Sequence, residues 1–114
     1  MTLPAHLSRG RSAEDAALAY LQAQGLIFVE RNVRYPFGEI DLIMNEGKKW
    51  IFIEVKYRQS KQFGGAIHAI SRGQIERLRR AANHYMQRNH IDAQCRFDVV
   101  AIDANDINWI TNAF

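Results

Sequence analysis

Three side chains able to hold a metal ion or a proton lie close together in the middle of the sequence. Asp41 belongs to the segment GEIDLIM, and Glu54 and Lys56 lie two residues apart in WIFIEVKYR. The other residues of both segments are mainly aliphatic and aromatic, which predicts two β-strands. A charged side chain inside such a strand needs solvent or a partner, because burying it alone is costly.

The spacing brings these residues together if the two strands form a tight hairpin. Side chains alternate between the faces of a strand, so Glu54 and Lys56 share one face, as do Glu39 and Asp41. The intervening segment NEGKK is turn-like. A tight turn makes paired positions sum to an odd number, which puts Asp41 opposite or diagonal to Glu54. A bulge of one residue would break this arrangement.

The first predicted helix contributes a fourth charged group. The segment from about Leu7 to Gln24 is rich in good helix formers, and Gly25 follows as a typical helix stop. At 3.6 residues per turn, Glu14 falls within the apolar face of this helix. A carboxylate that points inward needs a cation or a proton.

Carboxylates gathered in a partly buried place have the chemistry of a Mg²⁺ or Mn²⁺ site. Asp and Glu oxygens are hard ligands, and Mg²⁺ typically takes one or two of them with waters and substrate phosphate oxygens. Such an ion polarises a phosphodiester and acidifies a water, and a nearby lysine orients that water or stabilises negative charge. The candidate metal ligands are Asp41 and Glu54, and the candidate catalytic residues are Glu14, Asp41, Glu54 and Lys56.

Each of these charges also has a purely structural explanation. Glu54 and Lys56 would be a solvated charge pair if their strand were half exposed. Glu14 would stabilise the start of a helix that began after Ser12. Asp41 would be an ordinary strand charge near a turn, although its neighbours are aliphatic.

Length, composition and charge indicate one ordinary domain. The chain has 114 residues, of which 47% are hydrophobic and 24% charged, enough for a single core. Its formal charge of +3 modestly favours polyanionic partners. The one cysteine, Cys95, allows no intramolecular disulfide. No signal peptide or membrane span is predicted, so the expected location is the cytoplasm and no membrane partner is expected.

Periodicity predicts the elements that position the charged groups. Three strands follow the first helix, then a glycine-containing loop, QSKQFGGAIHA, a second helix from about Ser71, and the strands RFDVVAI and INWI. The second helix has an apolar face formed by Ile75, Leu78, Ala82, Tyr85 and Met86. The order αβββαββ predicts one α/β domain over residues 1–114, a mixed β-sheet flanked by helices.

Basic residues form a candidate surface for nucleic-acid phosphates. On the second helix, spacings of three or four residues put a stripe away from the apolar face, formed by Arg77, Arg80, His84 and Arg88. Arg58, Lys61 and Arg72 flank the loop glycines and would add contacts near the site. Such charges indicate backbone contacts rather than sequence recognition. An ordinary solvated helix face explains the stripe equally well.

Several of these segments resemble the YraN-like family of small bacterial proteins. The likeness is carried by SRGRSAEDAALAYLQAQG, RNVRYPFGEID, FGEIDLI, FIEVKYR, FGGA, RLRRAANHYM and RFDVVAI, so it extends over nearly the whole chain. This family is similar to the PD-(D/E)xK nuclease superfamily, and its layout is similar to that of archaeal Holliday-junction resolvases. The resemblance therefore implies a restriction-endonuclease-like core.

The resemblance also implies roles for individual residues. Asp41, Glu54 and Lys56 match the superfamily signature, and Glu14 matches the glutamate of its first helix. Val55 would lend its backbone carbonyl to the metal. The chain departs from the family at Gln74, where a lysine is expected. That change removes one contact to a phosphate or to the site, although glutamine in this region of related nucleases can itself be functional.

The leading hypothesis is a metal-dependent endonuclease that acts on DNA, with branched or junction DNA among the expected substrates. A junction-cutting enzyme needs two sites, so a homodimer is expected on that hypothesis. One alternative is a non-catalytic nucleic-acid-binding module of a DNA-processing assembly. Another is a protein-interaction domain whose charges are structural.

Overall fold

The computed structural model describes residues 10–58, 70–104 and 106–114. Its elements are α1 (Gly10–Ala23), β1 (Ile27–Tyr35), β2 (Gly38–Glu46), β3 (Lys49–Arg58), α2 (Arg72–Arg88), β4 (Cys95–Asp103) and β5 (Asp106–Ile110). The predicted order αβββαββ is confirmed. The predicted start of α1 at Leu7 and the predicted glycine loop with Lys61 lie outside the described residues.

The strands form one mixed sheet in the order β1-β2-β3-β4-β5. Neighbouring strands are antiparallel except β3 and β4, which are parallel. A parallel pair needs a long crossover, and α2 lies in the connection between these two strands. The chain is thus an α/β protein with a mixed five-stranded sheet and two helices in the described segments.

An apolar cluster fills each side of the sheet. Under α1, the buried residues are Ala13, Ala16, Ala17, Leu21, Leu26, Leu42, Met44, Ile51, Ile53, Val100 and Ile102. Under α2, they are Val33, Ile40, Ile43, Phe52, Leu78, Ala81, Ala82 and Tyr85. The predicted apolar face of α2 is confirmed at three positions, and Met86 packs at its margin. Ile75 is only partly buried, whereas Ala81, which periodicity did not single out, is fully buried.

A glycine ends α1 and a serine caps the start of α2, and both residue types are typical of these positions. Gly25 has φ +99°, and it follows α1 in a Schellman arrangement in which the Leu26 N–H donates to the Leu21 carbonyl at 3.1 Å. Ser71 caps α2, because its Oγ accepts from the Gln74 N–H at 3.1 Å while Gln74 Oε1 accepts from the Ser71 N–H at 2.9 Å. Neither helix is long and apolar enough to cross a membrane.

A buried carboxylate ties β4 to β5 and to the C-terminal segment. Asp98 is 0% exposed and accepts four hydrogen bonds. Two come from the Arg96 guanidinium at 2.8 Å each, one from the Trp109 indole at 2.9 Å, and one from the Asn112 N–H at 2.9 Å. These donors compensate the loss of hydration, so this charge has a structural role.

Replacing Asp98 by Asn should lower the free energy of unfolding by about 1–3 kcal/mol, because the amide nitrogen cannot accept the hydrogen bonds that a carboxylate oxygen accepts, and Arg96 keeps only its exposed ion pair with Glu46. Urea denaturation followed by circular dichroism measures this change. The matched control is Asp92→Asn at an exposed position, where the expected change is within about 0.5 kcal/mol. Equal stabilities of the two variants would contradict the structural role of Asp98.

Candidate active site

The register of β2 and β3 brings Asp41 next to Glu54. The residues of β2 and β3 pair without a bulge from Glu46 and Lys49 to Leu42 and Ile53. Each of these pairs sums to an odd number, as predicted, and the next step of the register sets Asp41 across from Glu54. The predicted hairpin geometry is therefore confirmed.

Beyond Leu42 and Ile53, a hydrogen bond to the Asp41 side chain takes the place of the backbone hydrogen bonds between β2 and β3. The Val55 N–H donates to Asp41 Oδ2 at 2.8 Å. Because the N–H and C=O groups of one strand residue point to the same edge, the Val55 carbonyl also faces the gap between β2 and β3. Two carboxyl groups and one carbonyl oxygen thus border the place where the strands separate.

A cavity of about 600 Å³ opens at this place. All four side chains singled out from the sequence, Glu14, Asp41, Glu54 and Lys56, line it. Its wall also includes Val55, Asn32, Arg34, Glu39 and Gln74. Three separate strands and both helices therefore contribute to one concave site.

Burial and a second carboxyl group determine the state of Glu54. Loss of hydration, followed by the hydrogen bond and the charge of Asp41, raises the pKa of Glu54 to about 9. The Lys56 ammonium acts in the opposite direction and only partly offsets these effects. In the absence of a cation, the Asp41–Glu54 pair therefore holds a proton at neutral pH.

Glu14 faces the same cavity from α1, as the helical phase predicted. Its side chain is 18% exposed, and burial and the charge of Asp41 raise its pKa. Arg31 and Asn32 on β1 lower it in part by hydrogen bonding, and the Arg31 guanidinium lies 3.4 Å from Glu14 Oε1. Arg31 also forms an ion pair with Asp15 at 2.7 Å, so β1 side chains bind both acidic residues of α1.

Neither Arg31 nor Asn32 was singled out from the sequence. Asn32 has φ +54° in the middle of β1 and lies level with Asp41 in the β1–β2 register. Asparagine is disfavoured in strands but enriched in left-handed backbone conformations. An asparagine inside a strand-like segment was therefore the signal that could have identified this position.

The oxygen atoms at the cavity fit the chemistry of a hard divalent cation. Asp41, Glu54 and the Val55 carbonyl supply oxygen ligands. Repulsion between the two carboxyl groups keeps a proton on the pair, and a cation bound among these oxygens would offset that repulsion instead. Within the described residues, no three Asp, Glu, His or Cys side chains surround one ion position by themselves. Mg²⁺ commonly completes its shell with waters and substrate oxygens, so this donor set fits it.

The N-terminal end of α2 reaches the cavity through Gln74. Its amide oxygen is engaged in the helix cap, while the side chain lines the site. Close packing holds this end of the helix on β2. A Cβ atom built on Gly38 would lie within 2.9 Å of the Arg77 carbonyl carbon, so only glycine allows this contact.

The arginines of the predicted basic surface are exposed and do not line the cavity. Arg58, Arg72, Arg77, Arg80 and Arg88 are exposed. His84 instead packs edge-on against the rings of Tyr35 and Phe37. Lys61 lies outside the described residues. Within the cavity wall, the additional positive charge is that of Arg34, whose guanidinium lies 3.4 Å from Glu39.

Comparison with known proteins relates the chain to one family. The model of the Uncharacterised protein family UPF0102 matches residues 13–102. A UPF0102 protein from Shewanella loihica is 75% identical over 114 residues, which is 100% of both chains. One from Shewanella sediminis is 61% identical over 97% of this chain and 95% of its own. One from Shewanella oneidensis is 58% identical over 95% of this chain and 100% of its own.

Replacing Glu54 by Gln should stabilise the metal-free protein at alkaline pH. The pKa of Glu54 is about 9 in the folded chain, against an ordinary value of 4.5. The folded state therefore binds a proton that the unfolded state releases, and wild-type stability falls as pH rises through this interval. The expected gain for Glu54→Gln is about 1–3 kcal/mol near pH 8, with little difference near pH 5.

Urea denaturation in the presence of a chelator, at both pH values, measures this dependence. Glu46→Gln removes a glutamate of the same hairpin that is exposed and pairs with Arg96 at 3.2 Å, and it serves as the control for loss of a charge. A Glu54→Gln effect that is the same at both pH values would show that Glu54 is not protonated in the folded protein.

Replacing Gly38 by Ala should separate α2 from β2 and lower the free energy of unfolding by about 1–3 kcal/mol, as is typical of overpacking. The control is Gly73→Ala, where the nearest atom is the flexible end of Arg77 at 3.3 Å. There, alanine should stabilise the helix by about 0.5–1 kcal/mol. Thermal denaturation of both variants tests the opposite signs, and two shifts of the same sign would contradict the close contact at Gly38.

Proposed function

We propose that this chain, which belongs to the UPF0102 family, is a metal-dependent endonuclease that hydrolyses phosphodiester bonds in DNA. Its core would be of the restriction-endonuclease-like, PD-(D/E)xK kind. The observation that supports this most is the pairing of Asp41 with Glu54 in a cavity that also contains Lys56 and the Val55 carbonyl edge. At two carboxyl groups that share a proton next to a backbone carbonyl, a cation can replace that proton.

Asp41, Glu54 and the Val55 carbonyl would hold Mg²⁺ or Mn²⁺. When bound, the ion would polarise the phosphodiester and acidify a water molecule. The Val55 N–H keeps Asp41 in place, since it already donates to one carboxylate oxygen. Binding of the ion requires Glu54 to release its proton, so affinity for the metal should increase with pH.

Lys56 and Glu14 would act on the substrate itself. Lys56 follows Glu54 on the same face of β3, so its ammonium can donate hydrogen bonds to the attacking water or to a phosphate oxygen. Glu14 lies across the cavity and has a raised pKa. A raised pKa would favour the exchange of a proton with a water or a leaving oxygen.

The exposed arginines of α2 and Arg58 would position the DNA backbone. They lie outside the cavity wall, where they can contact phosphates on either side of the one that is cut. Lys61, which the sequence also assigned to phosphate contacts, lies outside the described residues. On a four-way junction, two strands are cut, so two copies of the chain would act together as a homodimer.

Cleavage of labelled linear, single-stranded, flapped and four-way-junction DNA tests this proposal. Wild type should cut at least one of these substrates with Mg²⁺ or Mn²⁺ and none with a chelator. In Asp41→Asn and Glu54→Gln, the rate should fall at least about 100-fold, because losing even a residue that only orients a metal ligand costs about 10- to 100-fold. Glu46→Gln, an exposed change on the same strand as Asp41, should cut at the wild-type rate.

The same variants distinguish the nuclease from the alternatives. If Asp41→Asn and Glu54→Gln cut as fast as wild type, the assignment of the site is wrong. If wild type binds DNA but cuts none of the substrates, and Mn²⁺ does not raise its melting temperature, the chain is a nucleic-acid-binding module. Absence of both DNA binding and metal-induced stabilisation would point to a protein-interaction domain.

A further inference from the structure

A group of three aromatic rings lies at the tip of the β1–β2 hairpin. The rings of Tyr35 and Phe37 stack with centroids 5.4 Å apart and an interplanar angle of 15°. His84 of α2 meets both rings nearly at right angles, at 4.6 Å from Tyr35 and 5.4 Å from Phe37. All three residues are partly exposed. These contacts hold the ring of Phe37, a turn residue, against α2.

Phe37 forms one wall of a shallow cleft of about 360 Å³. The other side chains of the cleft are Arg80, Asn83, His84 and Gln87. They lie on one face of α2, since they are spaced by three or four residues. Tyr35 packs behind Phe37 and does not line the cleft. The cleft thus combines the Phe37 ring, two amide side chains, a guanidinium and the imidazole of His84.

These groups are complementary to a nucleotide whose base is not paired. An aromatic ring offers a stacking surface to any base, and Asn83 and Gln87 can both donate to and accept from its edge. Arg80 can bind the adjoining phosphate. A base inside a duplex is stacked on both sides and exposes only its edges in the grooves, so its face cannot reach Phe37. The positive charge of α2 favours a polyanionic occupant over an apolar peptide.

The position of the cleft relates it to the candidate active site. Gln74 lines the catalytic cavity, and the cleft lies further along the same helix around His84. At 1.5 Å per residue these two positions are about 15 Å apart along α2. At the rise of about 3.4 Å per nucleotide of a strand in a duplex, this distance corresponds to about four nucleotides, and an unpaired strand, which is more extended, covers it in fewer. The contact of Gly38 with Arg77 fixes the hairpin tip on this part of the helix.

We infer that the Phe37 cleft binds the base of an unpaired nucleotide within about four positions of the bond that is cut. The substrate then contains a single-stranded segment, as in flapped or splayed DNA, next to the site of cleavage. This inference rests on the proposed function, because the catalytic cavity defines where the strand lies. Binding at the cleft itself requires no metal and no turnover.

Fluorescence anisotropy in the presence of a chelator tests the cleft separately from catalysis. The probes are a labelled blunt duplex and the same duplex with a single-stranded arm of either polarity. Phe37→Leu keeps the apolar bulk but removes the aromatic face. The matched control is Phe28→Leu, which changes an exposed phenylalanine of β1 that does not line the cleft.

Phe37→Leu should weaken binding of the armed DNA about 5- to 140-fold, which is about 1–3 kcal/mol at about 1.4 kcal/mol per tenfold. Its affinity for the blunt duplex should change by less than about twofold, which also shows that the variant is folded. Phe28→Leu should change neither affinity. A single abasic residue moved along the arm should weaken wild-type binding at one position, and Phe37→Leu should bind that DNA no more weakly than the intact arm.

Three outcomes would overturn the inference. Equal losses for duplex and armed DNA would mean that Phe37 supports the hairpin without contacting a base. If Phe37→Leu bound the armed DNA as tightly as wild type does, no base would stack on Phe37. The cleavage assay would then be the test of the proposed nuclease function. If wild type bound neither DNA, both the cleft assignment and the proposed action on DNA would be wrong.

Discussion

The meeting of two carboxyl groups where β2 and β3 separate is the constraint on which the rest of the site depends. Asp41 and Glu54 are forced together by the strand register, and burial removes most of the water that would separate their charges. The backbone of Val55, the ammonium of Lys56 and a shared proton each relieve part of this repulsion. A fold that keeps such a pair must obtain its stability elsewhere, and the apolar clusters on both faces of the sheet provide it.

A second carboxylate in the same sheet shows what a structural charge looks like in this protein. Asp98 is fully buried, but a guanidinium, an indole and a backbone N–H supply four donors for its two oxygens. Within the described residues, Asp41 and Glu54 have no comparable set: the Val55 N–H donates to Asp41, and the two carboxyl groups hydrogen-bond to each other. Because incomplete compensation costs stability without helping the fold, it is typical of a group kept for binding or catalysis.

The sequence predicted those parts of the site that follow from periodicity. Alternation along the strands and a short turn were sufficient to bring Asp41 opposite Glu54, and helical phase was sufficient to turn Glu14 inward. The left-handed conformation of Asn32 and the packing of Phe37 against α2 could not be obtained in this way. Both depend on which elements meet in three dimensions, and neither leaves a periodic signal in the chain.

On the proposed function, the distribution of charge constrains how DNA would approach this site. Glu14, Asp41 and Glu54 give the centre of the cavity an acidic character, whereas the exposed arginines of α2 lie outside its wall. A DNA strand would be attracted by these arginines and repelled by the carboxyl groups at the centre. The two cations of the wall, Lys56 and Arg34, offset this repulsion only in part, because Arg34 is paired with Glu39. A divalent cation removes this conflict, because it binds carboxylates and phosphate together. On the proposed function, the same ion therefore relieves the strain of the folded site and admits the substrate.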